Sequence, residues 1–232
     1  MNSKSAYKNK LFSILGDSMS ALEGYSIPEL AAYYTSSRCY ETGILIPSDT
    51  WWGQLIDELG AKLLVNNSFA GSTVSYDRSY EIQSYGCSRE RTESLGKNGI
   101  DPNVIMILMG YNDWGRGKKV HPDSENSNDL SIFSVAYKTM LNRIKTKYPE
   151  ATLWCFTLPV SAYSKREGYE FPYYYGGIHI EEYNEVIRNL ANSENALLID
   201  LYNTCEPFDT VDGFHPNAQG MITLASAVKK CL

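Results

Sequence analysis

Six apolar residues in unbroken succession, Val104 to Met109 (VIMILM), constrain this chain more than any other feature. A strand with one wet face alternates apolar and polar residues. A run without alternation belongs to a strand covered on both faces, the condition of a central strand in a parallel sheet. Other strand-like runs bounded by turn residues are Leu11 to Leu15, Lys62 to Asn66, Thr152 to Thr157 and Ala196 to Leu201. Helical patterns lie between them. Trp51 to Leu59 has apolar residues at Trp52, Leu55, Ile56 and Leu59, which share one helix face. Ser88 to Leu95, Leu130 to Tyr148, Ile180 to Asn192 and Asn217 to Lys230 complete the set.

Strands alternating with helices are the pattern of βαβ units, and right-handed crossovers stack them as an α/β three-layer αβα sandwich. For five strands the expected parallel sheet has the flavodoxin-like order 2-1-3-4-5. Residues 1–232 read as one domain, long enough to bury about three quarters of the unfolded surface in one core. Ligands of such folds sit beyond the carboxyl ends of the strands.

The composition excludes several function classes. At 43% hydrophobic and 21% charged residues the chain is not of the disordered type. A net charge of -6, with no basic cluster beyond pairs such as Lys118-Lys119, excludes a nucleic-acid partner. The five cysteines (Cys39, Cys87, Cys155, Cys205, Cys231) are scattered without a C-x-x-C spacing, so they read as reduced packing thiols rather than disulfides or a zinc site. Met1 to Lys10 is polar and lacks the apolar core of a signal peptide, and no apolar run approaches the roughly 20 residues of a membrane span. The expectation is a cytoplasmic protein without cofactor or metal.

The strand ends carry the chemistry. Gly16-Asp17-Ser18 follows the first strand, Asn67 to Gly71 the second, Gly110-Tyr111-Asn112-Asp113 the third, and Asp212 to His215 the fifth. A hydroxyl, flexible backbone, a carboxamide, a carboxylate and an imidazole thus converge on one rim, the set that acyl transfer requires. A serine hydroxyl is a poor nucleophile until a base takes its proton, and an imidazole with a pKa near 6.5 suits that task. Ser18 and His215 fit these roles. Asp212, three residues before His215 across Gly213, is spaced to fold back onto the far ring nitrogen and fix the tautomer. The amides of Ser18 and Gly71 and the Asn112 carboxamide are the candidate donors to a tetrahedral oxyanion.

With these four blocks in this order, the chain resembles the SGNH (GDSL) hydrolases over almost its whole length. The resemblance implies Ser18 as nucleophile, His215 as base, Asp212 as its partner, and Ser18, Gly71 and Asn112 as oxyanion hole, in a flavodoxin-like fold without metal. One departure is Met19 where the family name implies leucine.

Rival readings are weaker. His121 lies in a charged loop and His179 just before a helix, neither beside an aspartate at matching spacing. Asp17 and Asp113 read as strand-end aspartates bonded to local amides. The G-x-S-x-G elbow is absent because Ser20 stands at its second glycine, and there is no phosphate-binding glycine loop. Aromatics crowd the loops after the first and fourth strands: Tyr25, Tyr33, Tyr34 and Tyr40, then Tyr173, Tyr174 and Tyr175. Aromatic faces stack on sugar rings, so the expected substrate is a small-molecule or oligosaccharide ester, in particular a short acyl group such as acetyl on a carbohydrate. Lysophospholipases and acyl-thioesterases share the motifs and form the alternative. An inactive carbohydrate-binding protein would lack a triad member, and here none is missing.

Overall fold

A computed structural model of the chain describes residues 6–26, 32–77, 84–124 and 127–232. Residues 1–5 of the polar N-terminal stretch, 27–31 of the first aromatic-rich loop, 78–83 and 125–126 lie outside the described residues.

Five strands, β1 (Leu11–Gly16), β2 (Lys62–Ser68), β3 (Val104–Leu108), β4 (Thr152–Phe156) and β5 (Leu197–Ile199), form a parallel sheet in the order β2-β1-β3-β4-β5. This is the α/β three-layer architecture and strand order expected from the sequence. Six helices matter to the layers and the rim: α1 (Trp51–Leu59), α2 (Arg89–Glu93), α3 (Tyr111–Gly115), α4 (Phe133–Lys147), α5 (Ile180–Ser193) and α6 (Ala218–Lys230).

The unbroken apolar run of β3 feeds two cores. Val104, Met106 and Leu108 face the layer of α1 and α6, where Trp52, Leu55, Leu59, Met221, Leu224 and Val228 meet them. Ile105 and Ile107 face the opposite layer, built on Tyr137, Met140, Leu141 and Ile144 of α4 and on Tyr183 and Ile187 of α5. The chain passes from β1 to β2 on one side and then to β3 on the other. The ends of β1 and β3 therefore adjoin at the topological switch, where a crevice opens.

Element ends follow local hydrogen bonds. Thr50 Oγ1 caps α1 on the Gly53 amide at 3.0 Å, and Gly60 ends it in the left-handed region. α4 begins at Phe133 rather than Leu130 because Asp129 Oδ1 takes the Ser131 amide at 2.9 Å and its hydroxyl at 2.7 Å, a local turn that competes with helix. α2 is shorter than the periodicity predicts because Ser88 caps it and the Tyr148 hydroxyl accounts for the amides of Leu95 and Gly96, each at 2.9 Å. β5 stops at Ile199 because the Asp200 carboxylate turns to Thr157 and Arg188. Among the described residues, no helix is long and apolar enough to cross a membrane. All five cysteines are free; Cys87 and Cys155 are buried, and Cys39, Cys205 and Cys231 are half-buried.

At Gly53 a Cβ would sit 1.8 Å from the Pro47 carbonyl oxygen, so α1 seats on the preceding turn only without a side chain there. Gly53→Ala is expected to destabilise the fold by at least about 1–3 kcal/mol, the usual cost of overpacking. A thermal melt checks this, since each kcal/mol moves the midpoint of a chain this size by roughly 2–4 °C. An unchanged midpoint would refute the packing.

Candidate active site

Three of the residues singled out in the sequence meet in one hydrogen-bonded line. Ser18 Oγ lies 2.9 Å from His215 Nε2, and His215 Nδ1 lies 2.7 Å from Asp212 Oδ2.

Each is held by its own segment. After β1, Asp17 Oδ1 accepts the Met19 amide at 3.0 Å and the Asp17 carbonyl accepts the Ser20 amide at 3.1 Å, which turns the chain abruptly at Ser18. From below, the Ser20 carbonyl receives Trp52 Nε1 at 3.1 Å and Asn66 Nδ2 at 2.9 Å, and its hydroxyl receives Trp51 Nε1 at 3.1 Å. Ser20 is thus engaged in the interior, and Ser18 is the serine that reaches the crevice, although only 8% of its surface is exposed. On the other side Gly213, at φ +99°, lets the chain fold so that Asp212 Oδ1 accepts the amides of Phe214 at 3.0 Å and His215 at 2.8 Å. Asn217 then caps α6 on the Gly220 amide at 2.9 Å and donates to Asp209 at 2.7 Å, anchoring the loop to its helix.

Partial burial pulls the Asp212 carboxyl upward. The hydrogen bond and charge of His215 and the two loop amides outweigh it, and hold the group well below the ordinary carboxylate range. Its second oxygen has a further partner, the Tyr33 hydroxyl, which donates at 2.9 Å. The Tyr33 ring lies parallel to the His215 imidazole, with centroids 3.6 Å apart at 11°. Of the seven loop tyrosines, Tyr33 and Tyr175 reach the site. Tyr34 is fully buried, Tyr40 is exposed, Tyr25 packs by Trp52, and Tyr173 and Tyr174 pack on His179.

A pocket of about 350 Å³ opens beside Ser18 and His215. Met19, Tyr111, Trp114, Tyr175 and Phe214 make its apolar walls, and Asn112 and Arg116 are its polar ones. Asn112 sits on α3, a helix not among those expected from the sequence, and its Nδ2 donates to the Ser72 carbonyl at 3.0 Å. Gly71, next to Ser72, does not line the pocket; its carbonyl accepts Arg116 Nη2 at 2.8 Å. The rival histidines stay apart from this line: His179 Nδ1 caps α5 on the Glu181 amide at 3.1 Å, and His121 is exposed on its loop. Among the described residues, no group of three or more histidine, cysteine, aspartate or glutamate side chains is arranged to hold a metal ion.

The model of the GDSL-like lipase/acylhydrolase family matches residues 10–159. The chain belongs to that family. The matched segment contains Ser18, Gly71 and Asn112 and ends before Asp212 and His215. Among solved structures, a protein from Bacteroides ovatus described as a GDSL-like lipase is 27% identical, with 96% of this chain and 97% of that chain covered and a TM-score of 0.72. One from Bacteroides uniformis with the same description is 25% identical, with 96% and 94% covered and a TM-score of 0.71. A carbohydrate acetylesterase from Sinorhizobium meliloti is 15% identical over 96% and 97% of the chains, with a TM-score of 0.64, a likeness of fold alone. No curated protein matches the sequence at a significant level.

In this GDSL-like chain the aspartates of the first and third motif blocks are buried, and so is one arginine that sequence reasoning read only as part of a helix. Arg91, on α2, donates through Nη2 to the carbonyls of Gly16 at 2.9 Å and Asn67 at 2.7 Å, and through Nη1 to the hydroxyls of Ser72 and Ser84. Asp113 accepts the amides of Val74 at 2.7 Å and Ser75 at 2.9 Å. Asn67, expected on the loop, lies in β2, with its carboxamide on the Arg91 carbonyl at 3.1 Å. Burial pushes the Asp17 carboxyl up from 3.8 to about 7, against the pull of the Met19 amide and the Arg91 charge. Burial likewise raises Asp113 to about 6 despite its hydrogen bonds.

A raised carboxyl has a definite sign in stability. The folded chain keeps a proton on Asp17 up to about pH 7, while the unfolded chain releases it near the ordinary 3.8, so this group lowers stability as pH rises across that interval. Asp17→Asn keeps an acceptor for the Met19 amide and abolishes the titration. The variant is expected to gain on the wild type steadily from pH 4 to pH 7.5 in urea-unfolding midpoint. A difference independent of pH would mean that Asp17 is ionised throughout.

Proposed function

We propose that this chain is a serine esterase that cleaves a carboxylic ester through an acyl-enzyme intermediate, in a single catalytic domain with no cofactor. The observation that carries the reading is the line Ser18 Oγ, His215 Nε2, His215 Nδ1, Asp212 Oδ2, with contacts of 2.9 and 2.7 Å. In that reading the Ser18 oxygen attacks the ester carbonyl as its proton passes to His215 Nε2, and Asp212 holds Nδ1–H and stabilises the imidazolium. The carbonyl oxygen becomes an oxyanion met by the Ser18 amide and the Asn112 carboxamide, the two candidate donors that line the pocket. Collapse breaks the bond to the alcohol oxygen, which takes the proton from His215. A water then repeats the sequence on the acyl-enzyme, releasing the acid and restoring the serine.

The proposed substrate is a short acyl ester, acetyl above all, on a carbohydrate. The apolar wall of Tyr111, Trp114, Tyr175 and Phe214 supports it, since aromatic faces suit a sugar ring, and a pocket of about 350 Å³ suits a short acyl group. The fold likeness to a carbohydrate acetylesterase points the same way.

Initial rates on p-nitrophenyl acetate, butyrate and octanoate, with acetylated xylan and mannan oligosaccharides alongside, test this. Acetate preference and acetic acid release from the sugars are expected. Ser18→Ala is expected to lose turnover by about 10⁴-fold or more with little change in thermal midpoint, the scale set by loss of a triad member. Octanoate preference would favour a lipid or thioester substrate, and no turnover on any ester would leave a binding protein.

Only neutral imidazole accepts the serine proton, so kcat/KM is expected to fall on going from neutral to acid pH. A flat profile over that range would contradict the role of His215.

A further inference from the structure

Tyr33 reaches both partners of the proposed base. Its hydroxyl donates to Asp212 Oδ2, the oxygen that also faces His215 Nδ1, and its ring covers one face of the imidazole at 3.6 Å. The phenol is itself fixed from behind. Arg38 Nη2 donates to the Tyr33 oxygen at 2.9 Å, and the Arg38 guanidinium carbon lies 3.9 Å from the ring centroid. Glu41 grips Arg38 through Nη2 at 3.0 Å and Nε at 3.2 Å. Tyr34 packs edge-on against Tyr33 at 5.0 Å and ties its own hydroxyl to the Pro216 carbonyl at 2.9 Å, joining this layer to the residue after His215. Imidazole, phenol and guanidinium therefore form a three-plate stack that locks the loop after β1 onto the His215 loop.

We propose that Tyr33 is a positioning residue of the proposed triad: it sets the plane of the His215 ring by stacking and restrains the Asp212 carboxylate by hydrogen bonding. The inference rests on the esterase reading above and deepens it. Stacking blocks rotation of the imidazole away from Ser18, and misplacement of a reacting group by about 1 Å costs on the order of 10²-fold in rate. The phenol face, electron-rich, also meets the imidazolium that forms when Ser18 gives up its proton. Sharing Oδ2 with Tyr33 draws charge from the carboxylate, which weakens its hold on the imidazolium. Removing the hydroxyl alone therefore favours the imidazolium, and moves the acid limb of the rate profile to higher pH. Among the described residues, the charged and titratable groups facing this layer are Asp212, Arg38, Glu41 and Tyr34. Asp17 and Tyr169 interact with this layer more weakly, through Tyr34 and Asp212 respectively.

The test compares Tyr33→Phe, which keeps the plate, with Tyr33→Leu, which removes it, on p-nitrophenyl acetate. Rates are normalised to sites titrated with a fluorophosphonate, and thermal midpoints are measured in parallel. Expected are a kcat loss of about 10²-fold for Tyr33→Leu with KM within about twofold. For Tyr33→Phe a loss of about 3–10-fold is expected, the scale of one hydrogen bond, with the acid limb displaced upward. Wild-type kcat and an unmoved limb in Tyr33→Phe, or an effect confined to KM, would overturn the proposal. If Tyr33→Leu does not fold, the acid limb of Tyr33→Phe decides alone. Ser18→Ala run beside them separates the two readings: turnover there rejects the esterase mechanism itself, whereas a dead Ser18→Ala with a wild-type Tyr33→Phe rejects only the role of Tyr33.

Discussion

A cation and an anion buried under the rim hold one loop between them, and the site geometry depends on that clamp. Arg91 gathers the carbonyls at the ends of β1 and β2 together with the Ser72 and Ser84 hydroxyls. From the β3 side, Asp113 gathers the Val74 and Ser75 amides and the Ser75 hydroxyl. Arg91 holds the chain entering the turn after β2 by the Asn67 carbonyl and the Ser72 hydroxyl, and Asp113 holds its far end by the Val74 and Ser75 amides, so the turn is fixed at both ends. A buried charge costs several kcal/mol of lost solvation, recovered only when its hydrogen bonds are well made. A displaced loop would strand both charges, and this turn therefore has one arrangement of low energy. Burial depresses the Arg91 guanidinium only to about 10, so it stays charged at neutral pH.

The clamp explains how a rim of irregular chain becomes precise. Ser18 follows Gly16, whose carbonyl Arg91 holds, and Asn112 sits one residue before Asp113 and donates to the carbonyl of Ser72, whose hydroxyl Arg91 holds. The Ser18 turn and the Asn112 carboxamide are thereby referred to a common buried frame. The His215 loop is fixed by different means: the Asx-type turn within Asp212 to His215, the Asn217 cap on α6, and the Tyr33 layer. The two halves, braced largely by different bonds, meet at the 2.9 Å contact between Ser18 and His215 and through the Tyr33 layer.

What the sequence made legible is what local spacing encodes. The VIMILM run implied a strand covered on both faces, and its residues do alternate between two cores. Asp212 and His215 stand three residues apart across a glycine, so one turn suffices to pair them, and that turn can be read from the sequence. Arg91 and Tyr33 were not legible as parts of the site for the opposite reason. Arg91 sits 75 residues from Gly16 and 24 from Asn67, and Tyr33 sits 179 from Asp212, distances at which no periodicity or motif reports a contact. Arg91 read as an ordinary polar position of a short helix, and Tyr33 as one of several loop aromatics. Helix α3 is not legible in the sequence because Gly110, Asn112 and Asp113 are turn-forming residues, and tertiary bonds from Asp113 override that preference.

Met19 and Phe214 adjoin Ser18 and His215 in the pocket wall, but another part of the wall stands outside the hydrogen-bonded line, and this division bears on selectivity. Trp114 stacks on Phe171 at 5.3 Å and meets the edge of Tyr175 at 4.7 Å, so the aromatic side of the pocket is carried by α3 and by the loop between β4 and α5. None of these rings makes the hydrogen bonds that align Ser18, His215 and Asp212. Changes along that loop can reshape the cavity without moving the reacting line, because the line is referenced to Arg91, Asp113 and Tyr33 instead. On the proposed esterase reading, a fold arranged in this way would separate the machinery that attacks an ester from the surface that chooses which ester, the condition under which one set of motifs serves many substrates.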